Sequence, residues 1–154
     1  MGFPDEMKRY SPEIYDVARR LLAYEAGGHP DPAGMADAME RICQRMYQQL
    51  VKRVGSTGYG VLIARALHLT KDEFLFLDSV EVELQSGSCL KGLREGVQEL
   101  DSTEVGQGIA SLLANFISLL SRFVGPDLAL SQVHRAYPEI PLDEAGHSSE
   151  EAKE

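Results

Sequence analysis

Apolar positions recur along most of this chain at steps of three and four, the spacing that gathers side chains on one face of a helix. Ile14, Val17, Leu21 and Leu22 form the first stripe, behind Ser11 as N-cap and Pro12 at the first helical position. Gly27 and Gly28 end it. A second helix opens at Asp31-Pro32 and carries Met35, Met39, Ile42, Cys43, Met46, Leu50 and Val54 on one face, over roughly 34 Å at 1.5 Å per residue. Asp37, Arg41, Arg45, Gln48 and Lys52 occupy another face, and Gly55 stops the helix. The segment Val61 to Leu69 is apolar except for Arg65 and His68, which predicts a third helix buried nearly all round. Thr70 and Glu73 then present a T-x-x-E capping box, predicting a short helix through Phe74 and Leu77.

Residues 79–88 change the period. Val80, Val82 and Leu84 alternate with Glu81 and Glu83, a strand signal, but no second strand is apparent to pair with it. The segment is therefore read as extended or irregular. Ser88 starts a predicted helix to Leu100, and Asp101 or Ser102 caps the next, over 103–124. A final helix, 126–137, follows Gly125-Pro126 and stops at Pro138.

The helix near 103–124 is the most apolar long element. One seam runs through Val105, Ile109, Leu112, Phe116, Leu119 and Phe123, and a second through Leu113, Ile117, Leu120 and Val124. Gly106, Ala110, Ala114 and Ser118 form a line of small residues along which a neighbour can come close. The polar strip, Ser111, Asn115, Ser118 and Arg122, is narrow. Two accounts fit: the helix is the centre of one bundle, or one seam faces a second copy or a partner. The predicted fold is all-α, a single-domain bundle of five to seven helices around this element. It spans 11–140, between an N-terminal arm at 1–10 and a disordered acidic tail at 141–154.

The length of 154 residues suits one domain, large enough to bury a core without disulfide or metal. The net charge of −9 argues against nucleic acid and against anionic membrane, both of which select basic surfaces. Cys43 and Cys89 each sit among apolar residues and read as reduced, buried thiols. The opening MGFPDEMKRY is too polar for the apolar core of a signal peptide, and no run of 18 uncharged apolar residues occurs. The expected location is the cytoplasm.

Candidate chemistry is sparse. In GSTGYG, Gly60 is followed by Val61 where a phosphate loop needs Lys, and a helix precedes where a dinucleotide fold needs a strand. Of His29, His68, His134 and His147, no two have the i, i+4 spacing of a zinc helix, and no Cys stands at metal-finger spacing. His68 and His134 fit helix C-termini, where an imidazole suits the dipole. The acid pairs Asp72/Glu73 and Glu81/Glu83 are neighbours in the chain, without the separation that glycosidase chemistry needs. No nucleophile signature is present.

An enzyme is therefore disfavoured, and no cofactor or metal is expected. The leading expectation is a non-enzymatic regulatory or adaptor module acting through protein–protein interaction, of a kind used in bacterial signalling. Its candidate contacts are Arg41, Arg45 and Lys52 on the basic face of the second helix and Leu113, Ile117 and Leu120 on the second seam. The partner would be another protein or a second copy. The alternative is a small-molecule-binding helical domain in which Met35, Met39, Met46 and Phe116 line an apolar pocket.

Overall fold

The structure, a computed structural model, describes residues 10–27, 31–84 and 89–141. Most of the chain is helical. The described residues form five helices: α1 (Pro12–Ala26), α2 (Pro32–Lys71), α3 (Leu93–Gly96), α4 (Ser102–Val124) and α5 (Pro126–Ala136). A 3-10 turn (Leu75–Leu77) follows α2. Two short strands, β1 (Glu81–Val82) and β2 (Leu90–Lys91), pair antiparallel, with Val82 opposite Leu90 and Glu81 opposite Lys91.

Local chemistry explains the helix starts. The Ser11 hydroxyl accepts from the Ile14 amide at 3.2 Å, with Pro12 behind it. The Asp101 carboxylate accepts from the amides of Thr103 and Glu104, so α4 begins one residue earlier than its predicted span. Asp31 occupies the cap position of α2 but makes no side-chain capping bond.

The second and third predicted helices are one element. α2 continues through the glycine-rich joint, and only Gly55 leaves helical geometry, at φ 78° and ψ 165°. A side chain is disfavoured at that backbone angle, so the bend falls there. The second arm, 56–71, is not buried all round as predicted. Tyr59, Ile63, Ala66 and Leu67 face inward, while Val61, Arg65 and His68 stand in water. The predicted capping box at Thr70 does not form. Thr70 is still helical and buried, its hydroxyl donates to the Ala66 carbonyl at 2.7 Å, and it accepts from the Asn115 amide at 2.8 Å. With its oxygen committed there, no new helix opens at Thr70.

The helix predicted from Ser88 to Leu100 is also corrected. Ser88 lies outside the described residues, Leu90–Lys91 is strand, and only Leu93–Gly96 is helical. The Glu40 carboxylate accepts the amides of Cys89 and Leu90, each at 2.9 Å. That satisfies in extended form donors that would otherwise start a helix. Leu90 thereby supplies the missing partner for the alternating segment around Val82.

α4 packs against α1, α2 and α5. Thirteen of its residues are buried, Val105, Ile109, Leu112 and Phe116 among them. By length and composition it could cross a bilayer, but 67% of its most apolar window is buried against the rest of the chain. Of the predicted arm only Tyr10 is described, and it is anchored: its hydroxyl hydrogen-bonds Ser111 at 2.9 Å. Of the predicted tail only Pro141 is described, its carbonyl taking a bond from Arg20. The rest of both segments lies outside the described residues.

Candidate functional site

The sequence-predicted contact residues divide into two groups, and most are occupied within the chain. Leu113, Ile117 and Leu120, expected on a seam available to a partner, are buried in the protein's own core, none more than 1% exposed. The helices around α4 cover that seam. The first seam emerges only at its end, where Phe123 is 64% exposed. The narrow polar strip divides: Ser111, Asn115 and Ser118 are buried, while Arg122 at its end is exposed. Polar residues on this face meet polar partners across the interface, Tyr10 for Ser111 and Thr70 for Asn115.

The basic face of α2 is tied to its neighbours. Arg41 donates through Nε to the Glu25 carboxylate at 3.1 Å and through a second nitrogen to the Glu25 carbonyl at 2.7 Å. Arg45 donates to the Ala136 carbonyl at 2.9 Å and to the Glu139 carboxylate at 3.1 Å. Its guanidinium also lies 4.3 Å from the centre of the Tyr137 ring, within cation–π range. Tyr137, fully buried, donates to Glu25 at 2.7 Å. Burial first, and then the Glu25 bond, push its hydroxyl well above the ordinary tyrosine range. Tyr24 donates to Glu139 at 2.8 Å. The Glu139 carboxyl is held below its usual range, chiefly by its own backbone amide and then by Tyr24. These groups latch the end of α1 and the chain after α5 onto α2. Lys52 takes no part in the latch and is exposed.

The pocket expected around Met35, Met39, Met46 and Phe116 is filled by those side chains, all of them buried. An open groove lies elsewhere, between the start of α1, the turn after α2 and the first half of α4. It encloses about 560 Å³ and is walled by Tyr10, Tyr15, Glu73, Phe74, Gln107 and Ser111. The rings of Tyr10 and Tyr15 stack, with centroids 5.7 Å apart. Burial raises the Tyr15 hydroxyl above its ordinary range. A second depression of about 350 Å³ shares Tyr15 and Gln107 and reaches Met35, one of the expected pocket residues. The groove mixes aromatic walls with a carboxylate, an amide and a hydroxyl. Such a surface can hold a flat apolar body and hydrogen-bond its polar end.

No sequence signal pointed to this groove, because its walls come from three separate segments. Tyr10, Glu73 and Gln107 carry no mutual spacing that a linear pattern would register. Among the described residues no cluster of three or more His, Cys, Asp or Glu is arranged to hold a metal ion. No protein-family model matches the chain, and no characterised protein or solved structure matches it either.

Proposed function

We propose that this protein is a non-enzymatic binding module that takes a small amphipathic ligand in the groove beside Tyr15. The observation that carries this reading is the groove itself: about 560 Å³, within the range of roughly 300–1,000 Å³ typical of small-molecule sites. Tyr10, Tyr15 and Phe74 suit a planar apolar body, and Glu73 suits a donor or positively charged group at its end. Glu73 is the one carboxylate among the described wall residues, so the groove offers no acid pair for hydrolysis. In this proposal 11–140 acts as one helical bundle around α4, working in the cytoplasm, and ligand occupancy is the regulatory signal.

The test is ligand-observed NMR with matched sets of aromatic amines and aromatic carboxylates. Amines are expected to bind more tightly, and Glu73→Gln should weaken them at least about fivefold, roughly one kcal/mol, as for a charge-assisted contact at a partly exposed site. Binding that ignores both Glu73→Gln and Phe74→Ala, or no binding in either set, overturns the proposal.

The adaptor reading keeps one observation in its favour. Leu75, Phe123 and Val61 stand 77%, 64% and 62% exposed. Single exposed apolar residues are ordinary on protein surfaces, so it ranks second. A dimer in light scattering that survives high salt and is lost in Phe123→Ser would promote it.

A further inference from the structure

The two cysteines come from distant parts of the chain and meet. Cys43 lies on the buried stripe of α2, and Cys89 immediately precedes β2. Both are free thiols, exposed by 1% and 4%. Their meeting has a mechanical cause. The Glu40 carboxylate holds the backbone amides of Cys89 and Leu90, one on each oxygen. Glu40 and Cys43 are three residues apart on one helix and so share a face. The clamp at Glu40 therefore sets Cys89 beside Cys43, close enough for the two buried thiols to influence each other's ionisation. Tyr59 closes the cluster. Its buried hydroxyl donates to the Cys43 carbonyl at 2.9 Å.

We propose that Cys43 and Cys89 form a modification site, a dithiol that peroxide oxidises to an internal disulfide. The Cys89 thiolate attacks one oxygen of hydrogen peroxide. The O–O bond breaks, Cys89 becomes a sulfenic acid, and the departing hydroxide takes up the proton that the thiol released, giving water. The Cys43 sulfur then attacks the Cys89 sulfur. An S–S bond forms, the S–O bond breaks, and the leaving hydroxide carries off the Cys43 proton as a second water. Two thiols together lose two electrons, and the peroxide gains them.

The order follows from the local chemistry. The neighbouring Cys89 and burial push the Cys43 thiol well above its ordinary range, whereas Cys89, outside any helix and just before β2, is the less deeply buried of the two, 4% against 1% exposed. The thiolate is the nucleophile, so Cys89 reacts first and Cys43 resolves. The disulfide would fix covalently what Glu40 now holds by hydrogen bonds, the β1–β2 hairpin on α2.

Intact mass spectrometry of the full-length protein tests this. After hydrogen peroxide, with remaining thiols blocked by N-ethylmaleimide, the expected result is a loss of about 2 Da with neither thiol available to the reagent. A digest should contain one cross-linked peptide joining Cys43 to Cys89, and dithiothreitol should restore both thiols. Cys43→Ser should stop at a sulfenic acid on Cys89, captured by dimedone. If that variant does not fold, Cys43→Ala replaces it, and the wild-type peptide map decides by itself. Sulfinic acid on either residue without a cross-link, a disulfide joining two chains, or thiols that react only in denaturant overturns the proposal.

Discussion

Replacing Glu25 by alanine should release the latch that closes the end of α1 onto α2 and the chain after α5. The Glu25 side chain is only 10% exposed and serves three partners: Tyr137 at 2.7 Å, Arg41 at 3.1 Å and Arg45 at 3.6 Å. Tyr137 dominates the cost, because its buried hydroxyl would lose a charged acceptor, a bond of about 1.5–3 kcal/mol. The arginines are 51% and 39% exposed, so each ion pair adds only about 0–1 kcal/mol. Glu25→Ala should therefore cost about 2–4 kcal/mol, or roughly 4–16 °C in Tm for a domain of this size. Glu25→Gln keeps an acceptor for Tyr137 and should cost only about 1 kcal/mol.

Urea denaturation followed by circular dichroism measures both variants. Tyr137→Phe removes the same bond from the other side, so the double variant should be less destabilised than the sum of its parts. A loss under about 0.5 kcal/mol for Glu25→Ala, or full additivity in the cycle, would refute the latch. The pH dependence supplies a second check. Tyr137 holds its proton in the folded state above the pH near 10 at which an unfolded tyrosine loses it. The native state then binds more protons than the unfolded one, so this contribution is full below about pH 10 and is lost as pH rises. Tyr59 shifts in the same direction, so Tyr137→Phe should flatten the alkaline fall without abolishing it.

Phe116, 1% exposed and 5.4 Å from the Tyr59 ring in an edge-on contact, should cost about 3–5 kcal/mol on truncation to alanine. A chemical-denaturation loss under about 1 kcal/mol would remove α4 from the centre of the core. A Cβ at Gly108 would come within 2.5 Å of the Phe76 ring, so Gly108→Ala should lose about 1 kcal/mol in urea denaturation despite its better helix propensity. Adding Phe76→Leu should restore that loss, and a plain gain in stability for Gly108→Ala would contradict the close approach.

Much of the secondary structure is legible in the sequence. Ser11 and Asp101 announce helix starts, and Gly27 and Gly125 announce stops, because caps are chosen by local backbone chemistry. What periodicity could not show is which polar groups would meet. Ser111 and Asn115 resemble a solvent strip until Tyr10 and Thr70 are placed opposite them. Arg41 and Arg45 resemble a free basic face until Glu25 and Glu139 arrive from distant positions. Leu90 looks helical until Glu40, on another element, takes its amide. The groove beside Tyr15 and the Cys43–Cys89 pair are likewise products of chain return, to which spacing along a line is blind.

Gly55 sets the length of the molecule. A straight helix of 40 residues would reach about 60 Å at 1.5 Å per residue. A chain of this size, collapsed, has a radius of gyration of only about 15 Å and a diameter near 40 Å. Left straight, α2 would project about 20 Å beyond its own domain. The arm carrying Tyr59, Ile63 and Leu67 would then have no neighbours from its own chain, and a second molecule exchanging the same arm would become its natural cover. The left-handed turn at one residue thus returns the second arm to α4 of its own chain, where Tyr59 meets Phe116 and Thr70 meets Asn115.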